Sequence, residues 1–411
     1  MRRIMRRVFL GGACSIAAAC GGAGGGAGTA PLEVRMLEAP AAGGSGQPDL
    51  AAGPGGEVVL SWLEPGDGGA SSLQYATLRD GAWSAAGTVV RGENLFVNWA
   101  DVPSIVPITA ELWAAHWLEL VEGSFGAYDV AAAVSRDAGA TWSEPRLLND
   151  DDTETEHGFA TLFAWGDGVG AVWLDGRELA EWSFDEPEAL LGVSLRYARL
   201  TPEGEIVERG IVDELVCDCC QTDVAMTATG PIVIYRDRTP AEIRDVVVRR
   251  HDGGGWRDAV GLGEEGWHLE GCPVNGPAIA ARADDVAAAW FTAAGGVARV
   301  RFARSADGGA AFGPAVDIDA EGAFGQVDVL LLDTGTAVVS WWRRAPGGTA
   351  LAMRTIARDG ALGPIHTIVE KAVAQPLDVP EMTLAGDALL VTWTDEGDGG
   401  RVRTAAVRNL R

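Results

Sequence analysis

Short apolar stretches alternate with polar turns along almost the whole chain, and one arrangement recurs seven times. An apolar β-like segment ends in an aromatic residue in "GEVVLSW" (Trp62), "AELWAAHW" (Trp117), "GVGAVW" (Trp173), "GPIVIY" (Tyr235), "DDVAAAW" (Trp290), "GTAVVSW" (Trp341) and "DALLVTW" (Trp393). The copies follow one another roughly every 50 to 60 residues. Each is preceded by a shorter apolar segment such as "DLAAGP", "AIAARA" or "EMTLAG". Each is followed by an alternating strand that in most copies runs to an Asp-Gly-type turn, as in "YATLRDGAW" or "RFARSADGGAAF", and then by a fourth segment such as "PRLLN" or "HTIVE". Four short strands per repeat, Gly/Asp turns and hardly any helical periodicity predict the blades of a β-propeller. The seventh repeat runs out after three strands, at "RVRTAAVRNLR". The stretch "LEVRML", residues 32–37, is the missing strand, so the N-terminal strand is expected to complete the last blade and close the ring. The fold class is therefore all-β: a single seven-bladed propeller over residues 32–411 without internal domain boundaries, with six blades as the alternative.

Two turns carry a more specific signal. "SRDAGATW" at residues 135–142 and "SADGGAAF" at residues 305–312 have the spacing Ser-x-Asp-x-Gly-x-x-aromatic. This resembles the Asp-box, or BNR repeat, of the sialidase superfamily. The resemblance implies a structural role for Ser135, Asp137, Gly139, Trp142, Ser305, Asp307, Gly309 and Phe312, at the turn between third and fourth strands. The chain also looks like bacterial lipoproteins labelled sialidase-like, through the blocks "NWADVPS", "EHGFA", "WLDGRE", "CDCCQT", "YRDR", "EIRD" and "CPVNGPA".

The N-terminus changes the picture of where this propeller works. Arg2, Arg3, Arg6 and Arg7 precede a short run of small apolar residues that ends at Cys20. That run is too short to span a bilayer and reads as a secretory signal peptide. It resembles a bacterial lipoprotein signal: residues 1–19 removed, Cys20 acylated, and a Gly-rich tether over residues 20–31. Cys14 is the other cysteine of this leader. The expected location is extracytoplasmic, on the membrane through a lipid anchor. A net charge of −26 excludes nucleic acid as a partner and leaves a glycan or another surface protein.

Loops on one face of a propeller carry function in most cases, because the blades hold them rigidly. The loops leading into the blades hold Asn98, Trp99 and Asp101; Glu156 and His157; Cys217, Cys219, Cys220, Gln221 and Thr222; and Cys272 and Asn275. The loops between second and third strands add Asp175, Arg177 and Glu178, then Arg236, Asp237 and Arg238, with Arg244 following. Two residues beyond the blade aromatics stand Glu64, Glu119, Asp175, Asp237, Thr292, Arg343 and Asp395, which suggests a rim of carboxylates around the central channel. Such a rim would bind a cation such as Ca, or supply an acid and a base to a sugar. The sialidase resemblance implies an arginine triad on a substrate carboxylate, a tyrosine nucleophile and an aspartate acid/base. Its catalytic candidates here are Asp101, Asp175, Arg177, Tyr235, Arg236, Asp237, Arg238 and Arg244. The first-blade region, "QPDLAAGPGG", lacks the arginine that the family places there. Ligand or partner binding is therefore the leading expectation, and an exo-sialidase-type hydrolase the alternative.

The remaining chemistry lies in "VCDCCQTDVA". Cys217, Cys219 and Cys220 lead into blade four and Cys272 leads into blade five. In an oxidising compartment these four are expected to form one or two disulfides, with Cys272 joined to Cys219 or Cys220. A soft-metal site for Cu or Zn is the rival, which would make the chain a metal-binding lipoprotein. For delivery, the Cys20→Ser variant is expected to lose its diacylglycerol group and its partition into membranes. Mass spectrometry of the mature N-terminus checks this; unchanged lipidation would move the anchor elsewhere.

Overall fold

In a computed structural model the described residues, 31–124, 126–181 and 192–410, form seven sheets of β-strands. The expected signal peptide, Cys14, Cys20 and nearly all of the expected tether lie outside the described residues. The innermost strands are Gly46–Ala52, Ser104–Pro107, His157–Trp165, Asp223–Thr227, Ala278–Arg282, Ala323–Leu331 and Glu381–Ala385. They lie next to one another in a closed ring, and the last approaches the first. Each blade is an antiparallel meander outward from this strand, and the fold is a seven-bladed β-propeller. The N-terminal strand Glu33–Leu37 pairs with Arg401–Arg408, from Glu33 opposite Arg408 to Leu37 opposite Thr404. It is the outermost strand of blade seven, so both ends of the chain share one sheet.

The apolar second strands have a direct explanation. The buried side chains divide into seven clusters, each joining two adjacent blades, including blade seven to blade one. A second strand is covered on both faces, so its two alternating sets of side chains must both be apolar. Trp173 faces blade two while its neighbours Val172 and Leu174 face blade four. All seven blade aromatics are buried, and each packs against the preceding blade.

Burying an indole also buries an N–H, which must find an acceptor. Trp62, Trp117 and Trp173 donate to Glu64 (3.1 Å), Glu119 (2.7 Å) and Asp175 (2.9 Å), the carboxylates two residues on. Where that position is not used, the preceding blade supplies the acceptor. Tyr235 donates to Asp213, Trp290 to Glu265 and Trp341 to Asp319. This corrects the expected carboxylate rim: at these positions the acids serve the blade aromatics and do not ring the channel.

The two Ser-x-Asp turns are alike. Ser135 and Ser305 donate to Asp137 and Asp307 and accept the N–H of Gly139 and Gly309, both at positive φ (86° and 83°). Each Asp also accepts the N–H four residues on. Trp142 and Phe312 then pack on the clusters that join blade two to blade one and blade five to blade four. Replacing Trp341 by Ala empties a fully buried site and removes one donor from Asp319, which keeps Arg343; we expect a loss of about 3–5 kcal/mol in denaturant unfolding.

Candidate functional site

The central channel is lined by residues from all seven inner strands and encloses about 300 Å³. Three of its acids stand in a repeated sequence, Gln-x-Asp, at Gln47–Asp49, Gln221–Asp223 and Gln326–Asp328. These aspartates join blades. Asp223 accepts the N–H of Val224 and, from blade five, of Ile279 (both 2.7 Å). Asp328 accepts those of Val329 and, from blade seven, of Met382 (both 2.6 Å). Asp49 does the same with Leu50 and Ile105. Asp101 accepts Phe159 N–H at 2.8 Å and so ties blade two to blade three. Burial pushes the carboxyls of Asp49 and Asp101 up to about 7 and that of Asp223 up to about 6. Burial, then the charges of Asp328, Asp49 and Asp223, raises Glu381 well above its ordinary range.

Several residues expected to bind a ligand on the loop face are engaged in the same task. Gln221 donates to Ala100 O (2.6 Å) and accepts Gly276 N–H (2.8 Å), so it spans blades two, four and five. A Cβ on Gly276 would lie 2.6 Å from Gln221, so only glycine allows this approach. Thr222 donates to Phe159 O, and Asn275 bonds Phe324 O and Gln326 N–H. Asn98 caps its own turn at Ala100 N–H, and Trp99 packs on the core between blades three and four. His157 is fully buried rather than on an exposed loop. Its Nε2 lies 3.2 Å from Asp151 and 3.7 Å from Asp175, and its Nδ1 lies 3.4 Å from Asp129. Burial opposes its protonation, but the hydrogen bond to Asp129 and the charges of Asp175 and Asp151 outweigh it and raise its pKa.

The catalytic candidates are likewise occupied. Tyr235 is 1% exposed and donates to Asp213, and burial followed by that carboxylate's charge lifts its phenol well above the ordinary range. Arg236 is 2% exposed; it donates to the carbonyls of Arg244, Asn275 and Phe291 and lies over Trp267. Arg177 clamps Asp175 and reaches Asp150 and Asp151. Arg238 is bound by Glu242, and Glu178 by Arg196. Asp237, raised to about 6 by burial, pairs through its backbone with Asp245. These groups stand as separate ion pairs and backbone clamps, and not as three arginines converging on one empty point.

What the structure does bring together is the cysteine loop. Cys217 and Cys220 are buried, Cys219 is half-buried and Cys272 is exposed, and all four thiols are free. Cys217 Sγ lies 3.9 Å from Cys219 Sγ and 3.7 Å from Cys220 Sγ, against about 2.05 Å for a covalent bond. The expected disulfides are thus not formed here. Asp218, Cys219 and Cys272 make a second group that shares Cys219. Arg244 Nη1 donates to Cys217 Sγ at 3.1 Å and to Asp218 at 3.0 Å, and its Nη2 donates to Glu242. The contacts from Cys219 and Cys220, with Arg244 adding to them, hold the Cys217 thiol well below its ordinary range despite burial. Of these groups Asp101 stands out in the sequence by its loop and Asp49, Asp223 and Asp328 by the Gln-x-Asp repeat, whereas no repeat marks Asp218.

The raised carboxyls set a pH dependence. The folded state holds protons that the unfolded chain releases near pH 4, so stability should fall as pH rises from about 4 to about 7. Asp101→Asn, which keeps the acceptor for Phe159 N–H, is expected to flatten this slope by at most about 1.4 kcal/mol per pH unit. Melting curves between pH 5 and 7.5 check it; an unchanged slope would show Asp101 ionised throughout.

No family model matches the chain, and no curated protein does. Among solved structures, a lectin from Burkholderia pseudomallei is similar at 13% identity, over 89% of this chain and 97% of its own, with a TM-score of 0.62. A protein of unknown function from Dyadobacter fermentans is similar at 14% identity, over 92% of this chain and 98% of its own, with a TM-score of 0.50. A Hadza microbial sialidase is matched at 14% identity over 72% of this chain and 63% of its own, with a TM-score of 0.41. At these identities the likeness to the first two is one of fold.

Proposed function

We propose that this chain is a lipid-anchored, extracytoplasmic propeller that binds a ligand where the loops leading into blades four and five meet. The observation that carries this reading is the convergence there of Cys217, Cys219, Cys220, Cys272, Asp218 and Arg244. Elsewhere on the loop face Gln221, Thr222 and Asn275 are spent on joining blades and Arg177, Glu178 and Arg238 on ion pairs, whereas Cys219 and Cys272 keep accessible surface outside any ion pair, with Asp218 beside them. The Asp-box resemblance supports sialidase-superfamily ancestry for the blades, and the leader supports anchoring through Cys20. The lectin's likeness is compatible with a binding role for such a fold. Hydrolysis of a sialoside is the weaker reading, because Tyr235 and Arg236 are sealed in the core.

A thermal-shift scan of the purified full-length chain against neutral and acidic glycans and transition-metal ions tests the proposal. A ligand that raises the melting temperature is expected to lose its effect in Asp218→Ala, read against that variant's own unliganded melting temperature, because the variant also gives up the ion pair with Arg244. Turnover of a fluorogenic sialoside that Arg177→Ala abolishes would overturn it, as would a ligand insensitive to Asp218→Ala.

A further inference from the structure

We infer that Cys217, Cys219 and Cys220 form a three-sulfur centre for a thiophilic closed-shell cation, Zn(II) or Cu(I). The inference deepens the ligand-binding reading and rests on it only for the location of the site. The three sulfurs all lie within 4.8 Å of one another. The spacings of 3.9 and 3.7 Å are those of ligands around one ion. With a Zn–S distance of about 2.3 Å, tetrahedral sulfurs stand ~3.8 Å apart and trigonal ones ~4.0 Å. Soft thiolates select soft cations over the hard ions that oxygen ligands favour.

Two further observations point the same way. The first is that the sulfurs are used as acceptors. Arg244 Nη1 donates to Cys217 Sγ at 3.1 Å, and the backbone N–H of Asn275 points to Cys220 Sγ at 3.4 Å. Outer donors of this kind orient and stabilise metal-bound sulfur. The second is Arg236. Its guanidinium is buried, its hydrogen bonds go to neutral carbonyls, and it has no carboxylate partner among the described residues. A buried cation calls for a counter-charge. Three thiolates around a +1 or +2 ion keep a net negative charge, and Arg236 and Arg244 stand beside them; the charge of Arg236 acts directly on Cys220.

The fourth side of the centre is where the surface opens. Cys272 is exposed, and its sulfur lies with Asp218 and Cys219 within 4.8 Å. It does not belong to the closed group of three. It therefore stands as a gatekeeping thiol through which an ion would enter or leave, and not as part of the core. Loading moves no electrons: each sulfur that still carries a proton gives it to solvent as it takes the ion, so binding tightens as pH rises.

The test uses the full-length chain, reduced and purified without oxygen. After loading with Zn(II) or Cu(I) and desalting, elemental analysis is expected to find about one equivalent of the preferred ion, and competition with chromophoric chelators ranks the two. Co(II) in place of Zn(II) should give a sulfur-to-metal charge-transfer band. Cys219→Ala is the decisive variant, because Cys219 is only half-buried: metal and band should be lost while the melting temperature of the metal-free protein stays the same. Cys272→Ser should keep one equivalent and exchange it faster. Retention of metal by Cys219→Ala, or no retained ion with disulfides among these cysteines in the air-exposed wild type, overturns the inference. Either result leaves the ligand-binding reading standing for another ligand, whereas sialoside turnover would end that reading whatever the metal content.

Discussion

Every second strand of this protein is apolar on both faces, and a sheet of that kind is stable only between two neighbours. Closure of the ring is thus the constraint from which the rest follows. The strand Glu33–Leu37 closes it by pairing with the last strand of the chain, and the cluster joining blades seven and one is as buried as the others. With no exposed end blade, each aromatic from Trp62 to Trp393 can rest on the blade before it.

Closure creates a second demand at the centre. Inner strands of adjacent blades do not share a ladder of backbone hydrogen bonds, so the N–H groups that face the channel need other acceptors. Asp49, Asp101, Asp223 and Asp328 supply them across the blade boundaries, with Gln221, Thr222 and Asn275 alongside. An acidic channel is thus an architectural consequence, and the raised pKa values are its electrostatic cost. The same logic accounts for the acids beside the indoles.

Against this background the cysteine loop is the exception. Three of its sulfurs stand together, and of the two arginines beside them Arg236 has no carboxylate partner among the described residues, unlike Arg177 or Arg238. Arg244 is shared between Cys217, Asp218 and Glu242. The fold has placed three sulfurs here beside two buried guanidinium groups.

The blade count, the strand order, the closing strand and the two Ser-x-Asp turns were legible in the sequence, because each depends on alternation and turn chemistry within one repeat. The convergence of the loops leading into blades four and five was legible too, since repeat phase alone places them at neighbouring positions. The roles of individual polar residues were not. Glu64, Glu119 and Asp175 look like a channel rim until the indoles that they serve are seen, and His157 is one more loop residue until three carboxylates close around it. Gln221, Thr222 and Asn275 resemble ligand-binding residues, but their partners lie in other blades, between 49 and 121 residues away. Periodicity along a chain specifies which way a side chain faces. What it meets there is decided by packing between blades, and only the closed ring brings those partners into contact.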